Sequence, residues 1–303
     1  MRLNYCATSL PAKHATLRSM ESLLSYGSHF PLHNSPFIIH NLAVQRIFLL
    51  LAPLLLSAAV VHALDVAGYD SAANDRFSSG YPDAPVPNSS PKFIGKDFDW
   101  SGVGWWKKDP HFSVTLLSSK NFACTRHMQP QIGDVITFFG RDGHLHDYHV
   151  AKLQLVPLGT QNGQPVYADT AIGTFAETVA FDDQIAHYPV AFSPKGLAAF
   201  IGKKILMYGH MARLGTNQIV EGIMLENVAS EYNFDTRGLT PGMAKSESGD
   251  SGSPSFVVIS GELALVGTHW KVDTDSMVSG IIPGMNAITA ADGARVEVLP
   301  IGD

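Results

Sequence analysis

An all-β fold, a sandwich or a barrel, is predicted for this 303-residue chain from three features of its sequence. Short apolar or alternating runs of β-favouring residues recur from Phe93 onward, Gly, Asp, Asn and Pro punctuate them at close spacing, and no long amphipathic helix interrupts them.

In chain order the first group of runs is FSVTLLS (112–118), NFACT (121–125), DVITFFG (134–140), HVAKLQLVPL (149–158) and TAIGTFA (170–176). The second is KKILMYGH (203–210), NQIVEGIML (217–225), SPSFVVIS (253–260), ELALVGTHW (262–270) and ARVEVLPI (294–301). One short helix is expected near 284–291, and the thin stretch AHYPVAFSPKG (186–196) is the expected connection between the groups. No segment repeats at a fixed period. With 45% hydrophobic and 16% charged residues the chain can bury a core, which excludes a disordered protein. A formal charge of −6 excludes the basic stripe that a nucleic-acid partner requires.

The N-terminal region reads as a targeting segment. Arg46 precedes the apolar run IFLLLAPLLLSAAVV (47–61), and VHA (61–63) resembles a small-residue cleavage site, so a secretory signal ending at Ala63 is expected. The run falls short of the roughly 20 residues of a comfortable membrane span. The long preface suggests translation from near Val44, and a transit peptide is the rival reading. Residues 1–63 carry Arg2, Lys13, Arg18 and Arg46 against Glu21, so their loss leaves a chain nine charges negative, secreted or periplasmic and soluble. Cys6 leaves with the signal and Cys124 remains alone, so stability must come from burial without a disulfide. Residues 64–92, rich in Pro and Ser, read as a linker or extended N-terminal arm, and Asn88-Ser89-Ser90 matches a glycosylation acceptor.

The stretch AKSESGDSGSPSFVV (244–258) carries the chemistry. It departs from the Gly-x-Ser-x-Gly nucleophile elbow, because Ser253 occupies the fifth position and a strand-like run follows. It suits instead a tight loop in which Gly249 and Gly252 let the chain turn without a Cβ in the way. The N–H groups of Gly249 and Ser251 would then face a developing oxyanion, with Asp250 anchoring the loop from beneath.

GDSGSP (249–254) resembles the nucleophile loop of the chymotrypsin/trypsin-like serine proteases, in particular secreted bacterial members without disulfides. VTLLSSKNFACTRHM (114–128) resembles that family's general-base context and puts His127 in the role, with Arg126 replacing a small residue and Met128 replacing a Cys. YADTAIGTF (167–175) resembles its buried-Asp strand, with Asp169 as the acid and Thr170 where an aliphatic residue is commoner. His127, Asp169 and Ser251 thus stand in the order the resemblance requires.

The resemblance implies two antiparallel Greek-key barrels, about 93–190 and 196–301, with the active site between them. It implies a serine endopeptidase acting on a peptide or protein substrate, with no cofactor and no lasting membrane association; the alternative is an inactive protein of the same fold that binds peptides or a surface partner. Lys245, six residues before Ser251, and the strand LVGTHWK (265–271) with Thr268 and His269 would line the specificity pocket, and Lys245 with His269 would favour an acidic residue; the alternative is that Lys245 points outward on a loop of different length. No Ile-Val-Gly-Gly-like segment stands ahead of Phe93, so Asp250 has another partner or activation uses another route. His144, His146 and His149 read as a solvated hairpin end, not a metal site.

Overall fold

The computed structural model describes residues 63–302 apart from 226–227, and nothing of the side chain of residue 181. These residues belong to one compact unit, Ala59–Asp303. The apolar run 47–61, Cys6 and the start near Val44 lie outside the described residues. No helix among those described is long and apolar enough to cross a membrane.

The chain opens with β1 (Asp65–Val66), α1 (Ser71–Asn74), β2 (Phe77–Ser79) and β3 (Val86–Pro87). It continues with β4 (Val103–Trp106), β5 (Asp109–Leu116), β6 (Asn121–Thr125), β7 (Val135–Phe139), β8 (Leu145–Gln161) and β9 (Gln164–Phe175). These last six close an antiparallel barrel in the order β4-β5-β6-β9-β8-β7. After β10 (Val190–Phe192) come β11 (Lys204–Gly209), β12 (Arg213–Leu225), β13 (Val228–Phe234), β14 (Ala244–Lys245), β15 (Pro254–Ile259), β16 (Glu262–Lys271) and β17 (Thr274–Met277), then α2 (Ile282–Thr289) and β18 (Val298–Pro300). The order β15-β11-β12-β13-β17-β16 closes on itself through β15–β16 pairing, making a second six-stranded barrel. The short strands β10 and β18 extend it by parallel pairing beside β16. The all-β, two-barrel expectation holds.

Strand alternation sorts side chains into three apolar clusters. Phe122 and Cys124 of β6 join Leu116, Ile136, Phe138 and Phe175 inside the first barrel. Ala123, between them in sequence, faces the seam instead, with Val103, Trp105, Tyr208, Phe256 and Leu265. Met207, Ile219, Tyr232, Val257 and Val266 fill the second barrel. The seam draws on strands of both barrels, so burial itself fixes the barrels side by side.

Residues 64–92 pack on the barrels rather than standing off as a linker. Leu64 is wholly buried, and β1 pairs with β14, Asp65 opposite Lys245 and Val66 opposite Ala244. Asp70 caps α1 by accepting from Ala72 N–H, satisfying one of the helix's orphan donors. Buried Arg76 donates to the carbonyls of Val103 and Phe139 and to Tyr208 Oη, and so carries a cation into the seam. The amide nitrogen of Asn88 is tied to the carbonyls of Ser71, Ala72 and Asp75, bonds that a glycan there would break.

Candidate active site

β6 ends at Thr125, and the next two residues, Arg126 and His127, leave the first barrel toward the second. His127 Nδ1 lies 2.8 Å from Asp169 Oδ2, and its Nε2 lies 2.9 Å from Ser251 Oγ. With the ring proton on Nδ1, the imidazole donates to Asp169 and accepts from the Ser251 hydroxyl. Asp169 is almost wholly buried, whereas His127 is about one-third exposed, so the chain of contacts runs from the interior to an open cleft. The structure therefore brings together the three residues that the sequence singled out from distant segments.

Asp169 is fixed by its neighbours on β9 and β6. The backbone N–H of Arg126 donates to the Asp169 carbonyl. The next residue, Thr170, donates its N–H to Ser276 Oγ at 3.2 Å, and its hydroxyl bonds Thr268 and Ser276 at 3.0 and 2.9 Å. The hydroxyl in place of a commoner aliphatic group is thus a polar rivet between the barrels. Thr125 Oγ1 donates to Asp169 Oδ2 and also stands 2.8 Å from His127 Nδ1. Thr125 was missed from sequence, although it stands in the quoted ACTRH segment two residues before His127.

The loop that carries Ser251 depends on its glycines and on Asp250. Gly249 has φ +108° and Gly252 φ +80°, conformations that L side chains rarely adopt. A Cβ on Gly252 would also meet the Ser113 carbonyl oxygen at 2.9 Å. The fully buried Asp250 carboxylate accepts from His210 N–H at 2.8 Å and Glu247 N–H at 2.7 Å. Those amides are the partners that Asp250 was expected to need. The N–H groups of Asp250, Gly252 and Ser253 bond the carbonyls of Glu247, His269 and Asp250. Among the described backbone bonds none uses the N–H of Gly249 or Ser251. The N–H groups of Asp250 and Ser253 thus bond within the loop and that of Gly252 bonds β16, while those of Gly249 and Ser251 stand beside the Ser251 hydroxyl.

The cleft over these residues holds about 530 Å³ and is lined by Phe112, His127, Glu247, Ser251, His269 and Lys271 among others. A larger cavity of about 930 Å³, bordered by Lys204, Thr216 and Ile259, contains none of these groups; chemistry, not volume, marks the site. His269 reaches the cleft wall, but Lys245 and Thr268 do not line it. Lys245 sits in the β14 ladder against Asp65, and the wholly buried Thr268 bonds Thr170. The sequence-based pocket of Lys245 with His269 is corrected on a second count. His269 is buried, its Nδ1 2.5 Å from Asp275 and its Nε2 3.0 Å from the Tyr208 carbonyl, so neither ring nitrogen is left for a substrate. Burial alone would lower the His269 pKa, but Asp275, Asp250 and the Tyr208 carbonyl outweigh it and raise it above the ordinary value. Burial likewise lifts Glu231, with Lys271 opposing, and lifts the Cys124 thiol out of the reactive range.

At the far hairpin, His146 pairs with Asp142 at 3.0 Å and His149 with Glu177 at 2.7 Å. Among the described residues no group of three or more His, Cys, Asp or Glu could hold a metal ion. No protein-family model matches the chain, and no curated protein matches its sequence.

Proposed function

We propose that this protein is a secreted serine endopeptidase of the chymotrypsin/trypsin-like type. The observation that carries the reading is the continuous path Asp169–His127–Ser251 beside two uncommitted backbone amides, in a cleft on an all-β, two-barrel fold. In this mechanism Ser251 Oγ attacks the peptide carbonyl carbon while His127 Nε2 takes its proton. The carbonyl oxygen, now negative, accepts from the N–H groups of Gly249 and Ser251; losing one such donor costs about 3–4 kcal/mol of transition-state stabilisation. Collapse of the intermediate breaks the C–N bond as His127 gives its proton to the leaving amine, and water then repeats the sequence on the acyl-enzyme. Asp169 accepts from Nδ1–H throughout, holding the tautomer and stabilising the imidazolium. No step uses a cofactor. Export fits the apolar run 47–61, and the substrate is a peptide or protein.

One observation favours a second reading, an inactive two-barrel protein that binds peptides: the bulky Arg126 directly before the base. Labelling with a serine-directed fluorophosphonate separates the two. The parent protein is expected to label once, at Ser251, and both Ser251→Ala and His127→Ala are expected to lose labelling while remaining folded. A folded parent protein that stays unlabelled sinks the enzymatic reading.

A further inference from the structure

Thr125, Arg126 and His127 are consecutive, yet all three side chains turn to the Asp169 carboxylate. Oδ2 accepts from Thr125 Oγ1 and from His127 Nδ1. Oδ1 is buried and accepts no hydrogen bond, and the cation beside it is Arg126, whose Nε stands 3.9 Å away. The Asp169 side chain is 4% exposed and that of Arg126 41%, so a partly solvated guanidinium stands beside a buried acid, both bordering one cavity of about 300 Å³.

The charge states explain why the arrangement matters. His127 can take the Ser251 proton only while its imidazole is neutral. In that state it gives Asp169 a hydrogen bond but no compensating charge. A buried carboxylate with one oxygen unbonded is strongly disfavoured unless a cation stands close. The other titratable groups acting on Asp169 do not supply one. Cys124 is a buried neutral thiol, and Glu231 from the second barrel adds repulsion that Lys271, 3.7 Å from it, offsets. Arg126 is also the one member of the trio that carries a fixed positive charge through the reaction.

We infer that Arg126 is a positioning residue of the hydrolytic site, acting through Asp169. It sets a fixed positive charge against that carboxylate and holds it turned toward His127 while the imidazole is neutral. The residue that most resembled a defect in the sequence becomes part of the working arrangement. This inference rests on the hydrolase reading above.

The test measures fluorophosphonate labelling rates at pH 6 and pH 8.5 for the parent protein and for Arg126→Ala, Arg126→Lys and Ser251→Ala. Removing a cation favours the imidazolium, so Arg126→Ala should raise the ratio of the pH 8.5 rate to the pH 6 rate by about 3- to 10-fold over the parent. That size is what a partly exposed charge near the ring gives at high effective dielectric. Arg126→Lys, which keeps the charge, should stay within about twofold of the parent ratio. Should Arg126→Ala not fold, Arg126→Gln keeps most of the stem and carries the same expectation. Equal losses at both pH values, or a Lys variant that behaves like Ala, overturn the inference while leaving the hydrolase reading intact. A parent protein that does not label overturns both.

Discussion

Replacing Asp250 tests whether the loop carrying Ser251 is held from beneath, as the geometry requires. The carboxylate has no exposed surface and accepts two backbone hydrogen bonds, from His210 N–H at 2.8 Å and Glu247 N–H at 2.7 Å. Bonds to a charged acceptor contribute about 1.5–3 kcal/mol each, and Asp250→Ala would leave a buried and a part-buried donor without partners. The expected loss is therefore about 3–5 kcal/mol, a large part of the stability of an ordinary domain. Ser251→Ala, one residue away, removes a single hydroxyl that bonds the partly exposed His127, and should change stability by no more than about 0.5 kcal/mol. Urea unfolding followed by the fluorescence of the buried Trp100 and Trp105 measures both variants in one assay. The expected pattern is a large stability loss for Asp250→Ala, with the Ser251 variant stable but unlabelled. A loss below about 1 kcal/mol for Asp250→Ala would refute the claim that these two bonds organise the loop.

Two further expectations concern the same region. His269 has a pKa raised above its unfolded value, so it stabilises the fold below the ordinary His range, and that contribution is lost as pH rises through the folded value; urea midpoints from pH 6 to 10 should fall more steeply for the parent than for His269→Gln, and parallel curves would contradict the assignment. Gly252→Ala meets both a left-handed φ and the Ser113 carbonyl, so it should cost about 2–3 kcal/mol and slow labelling more than tenfold, measured by urea unfolding and labelling rate; a variant matching the parent in both would show that the loop tolerates a side chain there.

Most of the barrel strands were legible from sequence because their apolar residues recur at the period of a strand. NFACT coincides with β6, and the runs 204–209, 213–225, 254–259 and 262–271 fall on or beside their expected positions. Apolar β4, Val-Gly-Trp-Trp, escaped through its shortness, and two others are polar for a physical reason. β17, Thr-Asp-Ser-Met, is buried along its whole length, and its Asp275 accepts from Tyr232 and pairs with His269. A strand that faces a polar network carries no hydrophobic signature. β13, interrupted by Ser230, Glu231 and Asn233, escaped in the same way.

The candidate site was legible where a loop's own geometry demands particular residues, as with Gly249, Asp250 and Gly252. It was not legible where a side chain's role depends on which way a neighbouring strand turns it. Lys245 stands at the expected distance along the chain, yet its strand pairs with β1 and takes it out of the cleft. His269 reaches the cleft wall, but Asp275 and Tyr208 already occupy its nitrogens.

The pairing of β1 with β14 has a consequence for how the site assembles. It joins residue 65 to residue 245, so the ladder leading into the nucleophile loop closes only when segments from nearly opposite ends of the described chain meet. Closing so long a loop must be met in entropy before the contact repays it, and contacts of this range form late in folding. Support for the Ser251 loop thereby depends on a segment of chain about 180 positions upstream, which must still be attached and in place when the second barrel closes.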